Sequence, residues 1–238
     1  MNAATQALPS AARLRGDGRI AGALYMAVVA GGMVGLAYVP GQLGPLGSPD
    51  EVAAALTRHA DLFRLGIAAL LVMELAFLLL PFALFRLFRD VHAGASALMV
   101  ILAAVSVPIA LVAIADRWQA LDLLHAGGAL STEAAATQAW LSIRAGSGAM
   151  RIASLFWGLW LLPFGYLVLR SGRIPRVLGV LLVLGGIGYV ASVTADLASI
   201  QKESIVWGAL RMAAAAGEIG GGLWLLLFGA RLPRSGAQ

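Results

Sequence analysis

Long apolar stretches, broken by short polar segments, make up most of the chain. Six of these stretches hold about 20 residues or more, enough for an α-helix to cross a hydrocarbon core about 30 Å thick. The pattern therefore predicts an all-α, polytopic membrane protein built as a bundle of six transmembrane helices. The predicted spans are Ile20–Val39, Leu62–Phe85, Gly94–Ala115, Ser147–Leu169, Val177–Asp196 and Ile205–Ala230.

Basic residues lie mainly at alternate ends of these stretches. Of the 17 lysines and arginines, ten flank one set of ends and four lie in the opposite loops. Membrane proteins keep lysine- and arginine-rich loops in the cytoplasm, so we expect both termini there and the loops around 40–61, 117–146 and 197–204 outside. The ten are Arg13, Arg15, Arg19, Arg86, Arg89, Arg170, Arg173, Arg176, Arg231 and Arg234, and the four are Arg58, Arg117, Arg144 and Lys202.

Two connecting segments carry signals of local structure. Ser48-Pro49-Asp50-Glu51 supplies an N-cap, a proline at N1 and a glutamate at N3, which predicts a short outer interfacial helix from about Pro49 to Ala60, between helices 1 and 2. Gly172-Arg173-Ile174-Pro175-Arg176 predicts a tight turn, in which Gly172 ends helix 4 and Pro175 begins helix 5.

The domain organisation follows from these elements. We expect one membrane domain over residues 18–232, preceded by a disordered cytoplasmic tail at 1–17 without a cleavable signal peptide, and followed by a cytoplasmic tail at 233–238. The 117–146 loop is long. Trp118 and Trp140 favour anchoring of this loop at the membrane surface, and a lid over the helix ends is the alternative.

Composition narrows the classes of function. The 238 residues are 60% hydrophobic and 12% charged, with a mean hydropathy of +0.86, which excludes an ordinary soluble domain. The net charge of +5 reflects topology and not a nucleic-acid partner. Because cysteine is absent, thiolate and disulfide chemistry is excluded. His59, His92 and His125 share no helix face, so we expect no metal or haem site and no cofactor.

Two glutamates inside the predicted spans are the sharpest chemical signal. Glu218 and Glu74 lie near the middle of helices 6 and 2; Glu74 is about 15 Å of helix rise from Arg64. Placing an ionisable group near the bilayer centre costs about 2.5–3.5 kcal/mol, which marks such groups as functional candidates. We therefore predict that Glu74 and Glu218 are proton-active groups.

Five further charged residues lie in the outer half of the predicted bundle. They are Arg64, Arg151 and Arg211, shortly inside helices 2, 4 and 6, and Asp116 and Asp196, at the outer ends of helices 3 and 5. They fit two interpretations: a network of ion pairs in which the charges compensate one another, or a polar cavity that is open to the outside and binds a ligand.

Two tryptophans of helix 4, Trp157 and Trp160, are further ligand-binding candidates. They fit either an aromatic wall of the ligand cavity or plain core packing.

Several short motifs resemble one family. They are Gly165-Tyr166-Leu167, the run from Ser171 to Gly179, Gly185-Gly186-Ile187-Gly188-Tyr189, Phe63-Arg64-Leu65-Gly66, Gly217-Glu218-Ile219 and Leu223-Trp224-Leu225. Together they resemble the bacterial membrane proteins catalogued as domain of unknown function 4386, over about Arg19 to Gly229. The resemblance implies six helices in a bacterial cytoplasmic membrane and brings no established activity. The chain departs from the family pattern at Ser96-Ala97-Leu98, where an arginine is common, and at Trp160, where a histidine is common.

Three functions remain open at this point. The first is binding of a small amphipathic or lipid-like molecule in an outer-half polar cavity, with the arginines as anion or headgroup contacts. The second is an intramembrane enzyme that uses Glu74 and Glu218 as general acid and base on an apolar, isoprenoid-like substrate. The third is a proton-coupled small-solute carrier. A purely structural role also fits, and the expected partners are membrane lipid and a second copy of the chain.

Overall fold

A computed structural model describes residues 11–125, 130–202 and 204–231. Over these ranges all regular secondary structure is helical, short turns connect the helices, and no strand is present. In chain order the helices are α1 (Ala11–Gly32), a π-helical segment (Met33–Tyr38), α2 (Val39–Leu43), α3 (Pro49–Arg58), α4 (Ala60–Phe88), α5 (Ala93–His125), α6 (Thr132–Ser171), α7 (Arg176–Leu197) and α8 (Ile205–Phe228).

Six helical runs in the described ranges are long and apolar enough to cross a membrane, which confirms the predicted fold class. Their mean hydropathy ranges from 1.2 for α8 to 2.8 for α5. The first run combines α1, the π-helical segment and α2. The six runs are Ala12–Leu43, Ala60–Phe88, Ala93–His125, Thr132–Ser171, Arg176–Leu197 and Ile205–Phe228.

Two of the helices extend well beyond the predicted spans. Most of the region expected to be the 117–146 loop is helical, because α5 continues to His125 and α6 begins at Thr132. The loop prediction is therefore wrong for the residues described there, while 126–129 lie outside the described residues. The physical reason is an N-cap, in which the Ser131 hydroxyl accepts a hydrogen bond from the backbone N–H of Ala134, followed by an alanine-rich stretch of high helix propensity.

The first helix also begins earlier than the predicted span. Residues 11–17, assigned to the tail, are helical, and residues 1–10 lie outside the described ranges. Asp17 accepts a hydrogen bond from the Arg86 guanidinium at 2.6 Å, which ties this extension to the end of α4. A contact with another helix therefore extends α1 beyond its apolar part.

Both predicted connecting elements are present. A complete capping box between Ser48 and Glu51 begins the short helix α3; its interfacial position stays a prediction. Gly172 ends α6 in the left-handed conformation at φ +64°, and Pro175 directly precedes α7.

The six long helices pack in a ring that follows chain order, and α8 closes it against α1. Small residues permit the tight contacts. A Cβ at Gly31 would lie 2.6 Å from the carbonyl oxygen of Ala69, so α1 and α4 meet at backbone distance. We call the end of the ring that carries Arg15 and Arg231 the basic end. The backbones of Arg15 and Gly229 meet there, so the first turns of α1 and the described residues after α8 both lie at the basic end.

Candidate functional site

A cavity of about 270 Å³ lies between α1, α4, α6, α7 and α8. Glu74 of α4 and Glu218 of α8 both line it, so the structure brings the two predicted proton-active residues to one place. We call this space the carboxyl cavity. Apart from these two acids, its walls are mostly apolar and aromatic.

Glu74 is fully buried. Neither of its carboxyl oxygens has a hydrogen-bond partner among the described residues. A buried polar group left in this state costs about 1–3 kcal/mol, and more when it is charged. Glu74 is therefore an uncompensated acceptor at the wall of a cavity.

Glu218 differs from Glu74, because two phenol groups point at it. The hydroxyl of Tyr25, from α1, donates a hydrogen bond to Oε2 at 3.5 Å, and that of Tyr189, from α7, donates to Oε1 at 3.4 Å. Both distances are at the long end of the hydrogen-bonding range, so these are weak bonds. Three helices thus converge on one carboxyl group.

Sequence reasoning did not select the two tyrosines. Their signal is a phenol in the middle of an apolar span, since a buried tyrosine hydroxyl usually needs a partner. Tyr25 is fully buried, and Tyr189 lines the carboxyl cavity.

The π-helical segment forms one wall of the carboxyl cavity through Met33, Leu36 and Ala37. A π-helix is rare and frequently occurs at functional sites. No feature of the sequence predicted this segment.

Trp157 and Trp160 also line the carboxyl cavity. Trp160 is buried at the same time in an aromatic cluster. Its ring stacks on Phe164 at a centroid distance of 5.4 Å and meets Phe77 edge-on at 5.1 Å. Trp160 therefore both packs in the core and faces the cavity.

A second cavity, of about 480 Å³, adjoins the first. Glu218, Tyr189 and Ala215 line both cavities. Arg211 and Lys202 line only the second one, which we call the arginine cavity. Arg211 and Glu218, seven residues and nearly two turns apart on α8, thus face the same space.

Asp196 lies at the end of α7 opposite the basic end, beside the arginine cavity. Its carboxylate contacts Lys202 Nζ at 2.6 Å and Arg151 Nε at 3.7 Å. The Lys202 ammonium also donates a hydrogen bond to the Ser192 hydroxyl at 2.9 Å. These charges form a local cluster of ion pairs.

Arg64 and Asp116 lie away from both cavities. Arg64 bonds the exposed Asp61 at 2.9 Å and lines a groove with Trp118 between α4 and α5. Asp116 lies beside Gly146 of α6, where α5 and α6 meet. The structure therefore does not gather the predicted charged residues into one outer cavity. Long arginine side chains reach polar surroundings from their place in the helix, so depth in the sequence does not fix where their charge lies.

One buried charged residue lies outside these cavities, at the basic end. The Arg173 guanidinium is buried and donates hydrogen bonds to the Leu87 carbonyl and to both carboxylate oxygens of Asp90, with Nη1 2.8 Å from Oδ1. The Arg173 carbonyl accepts a hydrogen bond from Arg231 N at 3.1 Å. We call this arrangement the Arg173 clasp. It joins the α6–α7 turn to the end of α4 and to the segment after α8.

No group of three or more histidine, aspartate or glutamate side chains in the described ranges is arranged to hold a metal ion. The described lining of the carboxyl cavity offers two carboxyl groups, the Tyr189 phenol and further aromatic side chains.

Comparison with known proteins gives one family. The profile described as "Domain of unknown function (DUF4386)" matches residues 20–229. Among curated proteins and solved structures, none matches the chain. The matched range includes all six long helices apart from the first residues of α1. This multi-pass helical membrane protein therefore belongs to the DUF4386 family.

Proposed function

We propose that this protein binds a small amphipathic molecule in the carboxyl cavity, and that Glu74 and Glu218 are its proton-active groups. The observation that carries this proposal is Glu74, a fully buried carboxyl group without a partner at the wall of a cavity. A ligand that supplies the missing hydrogen bonds removes this cost and thereby stabilises the folded protein.

The arginine cavity supports the same proposal. Because Glu218 lines both spaces, a molecule with an apolar body in the carboxyl cavity can extend a polar group toward Arg211 and Lys202. Of the three arginines predicted to contact a headgroup, only Arg211 is therefore part of this proposal. Arg64 and Arg151 engage acidic neighbours outside the carboxyl cavity and have no part in the proposal.

Two other functions each have an observation in their favour. Two carboxyl groups from different helices at one apolar cavity suit a general acid and a general base acting on an apolar substrate. The position of Glu218 between two cavities suits a carrier whose central acid is reached from either side. Turnover of a lipid or isoprenoid lost in Glu218→Gln would favour the enzyme, and loss of uptake into proteoliposomes would favour the carrier.

The test of binding is mass spectrometry of protein purified in mild detergent. We expect a defined small molecule to accompany the native chain and to be lost from Glu74→Gln and Glu218→Gln. Glu133→Gln, the same substitution at an exposed position, serves as the matched control and retains the molecule. Equal recovery from all four proteins would contradict the proposal.

We also propose that the protein lies in the bacterial cytoplasmic membrane with the basic end in the cytoplasm, where lipid surrounds the ring. The excess of arginines at that end supports this orientation. The chain has no cysteine, so single cysteines report position directly. Gly16 and Gly41 lie at opposite ends of the first run, and both have room for a side chain. An impermeant maleimide should label Gly41→Cys, and not Gly16→Cys, in intact cells.

A further inference from the structure

We infer that the part of the ligand in the carboxyl cavity is an apolar group with a cationic nitrogen, such as a protonated arylalkylamine or a quaternary ammonium compound. This inference rests on the proposed function and names the class of its ligand. It depends on the charges, the aromatic faces and the size of the cavity.

The charges at the carboxyl cavity are unbalanced. Glu74 and Glu218 line it, while its described lining contains no lysine, arginine or histidine. The described contacts of Glu218 are with neutral phenols, and Glu74 has none. Arg211 and Lys202 line the adjoining arginine cavity and not this one. Within the carboxyl cavity, two carboxyl groups in surroundings of low dielectric constant therefore need a compensating positive charge, which is either a proton or a bound cation.

The walls favour an organic cation over a hydrated metal ion. Trp157, Trp160, Phe77 and Tyr189 present aromatic side chains to the cavity. An ammonium group within about 6 Å of an aromatic face is attracted to the ring electrons, and tryptophan is the best partner. Quaternary ammonium ligands are commonly held by such aromatic surroundings, and the apolar walls offer few oxygen ligands to a metal ion.

Other ligand classes fit less well. An anionic ligand would bring like charge toward two carboxyl groups. A neutral apolar ligand would leave both oxygens of Glu74 unsatisfied. A cationic nitrogen compensates the carboxyl charge, and its apolar substituents contact the remaining walls.

The volume sets the size of the ligand. A cavity of about 150 Å³ holds benzene. The carboxyl cavity, at about 270 Å³, therefore has room for a benzyl group with a short trialkylammonium head.

The test uses two probes of the same shape. Benzyltrimethylammonium carries a permanent positive charge, and neopentylbenzene replaces its nitrogen with carbon. Binding of each to the full-length protein in an uncharged detergent is measured by isothermal titration calorimetry. We expect the cation to bind the native chain at least tenfold more tightly than its neutral counterpart.

Variants connect this preference to the cavity. We expect Glu74→Gln and Glu218→Gln each to weaken binding of the cation at least tenfold, while Glu133→Gln leaves it unchanged. Ala215→Phe, which fills space at the boundary of the two cavities without changing a charge, should abolish binding. The thermal unfolding midpoint of each variant shows whether it is folded.

The outcomes separate this inference from the proposed function. If the two probes bind with equal affinity and Ala215→Phe abolishes the binding of both, the cavity binds ligands but does not prefer a cation, and the inference is wrong. Retention of cation binding in Glu74→Gln also overturns the inference. If the native chain binds neither probe, the inference fails, and the proposed function fails with it only when no small molecule co-purifies.

Discussion

The carboxyl cavity and the Arg173 clasp both place a charged side chain in the interior, and they treat it in opposite ways. Arg173 donates from both terminal nitrogens to Asp90 and to the Leu87 carbonyl, although its Nε has no partner. Glu74, equally buried, has no partner at either oxygen among the described residues. Asp90 itself remains about one-third exposed.

The difference separates a buried charge that holds helices together from a buried acid that makes no such contact, and our proposal assigns the second one to a ligand. Breaking a buried ion pair is strongly destabilising, because removal of one partner leaves the other partner uncompensated. A buried charge without partners costs stability in the free protein, and removing it relieves that cost.

Breaking the clasp should have the largest effect. Arg173→Leu leaves Asp90 and the Leu87 carbonyl without their donors, and we expect it to lower the free energy of unfolding by about 3 kcal/mol. Reversible unfolding in mixed micelles measures the change. Arg170→Leu, an exposed arginine near the same turn, is the control and should change stability by less than about 1 kcal/mol. An equal effect of the two substitutions would contradict the structural role of the clasp.

Removing the unpartnered acid should have the opposite sign. We expect Glu74→Leu to raise the free energy of unfolding of the ligand-free protein by about 1 kcal/mol, because it replaces an unsatisfied polar group with an apolar one of similar size. The same variant should lose the co-purifying molecule. A loss of stability as large as that of Arg173→Leu would show that Glu74 has a structural partner and would remove the contrast.

The two phenols allow a finer test, because they make Glu218 an intermediate case. Tyr189→Phe and Tyr25→Phe each remove one long hydrogen bond, and we expect each to cost less than about 1 kcal/mol. In a Glu218→Gln background the cost of either substitution should shrink, since the carboxylate acceptor is gone. Double-mutant cycles measure this coupling. Coupling energies of zero would mean that the phenols and the carboxyl group do not interact.

The smallest effect is expected at Arg64. Its ion pair with Asp61 is exposed, and such pairs contribute about 0–1 kcal/mol. Arg64→Ala should therefore leave both stability and ligand retention nearly unchanged, whereas Arg211→Ala should reduce retention. The comparison uses the same unfolding and mass-spectrometric measurements. Loss of the ligand from Arg64→Ala would place the site in the groove between α4 and α5.

Hydropathy predicted the features that depend on single helices. The six spans follow from the length of the apolar stretches, and Glu74 and Glu218 stand out because a carboxyl group is costly at that depth. The capping box at Ser48 and the turn at Gly172 follow from local rules that need no knowledge of neighbouring helices.

Features that depend on contacts between helices could not be predicted from the sequence. Hydropathy marks where a helix leaves the hydrocarbon and not where it ends, so the pattern predicts a loop where α5 extends to His125 and α6 begins at Thr132. The N-cap at Ser131 and the alanines after it were a usable signal. The contacts of Tyr25 and Tyr189 with Glu218 depend on the ring order, which no single stretch encodes.

The low hydropathy of α8 bears on how the chain is made. A charged residue near a helix centre costs about 2.5–3.5 kcal/mol during insertion, while each leucine or phenylalanine returns about 0.3–0.6 kcal/mol. With Arg211, Glu218 and a mean hydropathy of 1.2, α8 is the span least able to leave the translocon for lipid alone. It is also synthesised after its neighbours α1 and α7. The least hydrophobic span is therefore inserted after the helices that it packs against. Tyr25 and Tyr189 are then already present to donate hydrogen bonds to the Glu218 carboxyl group.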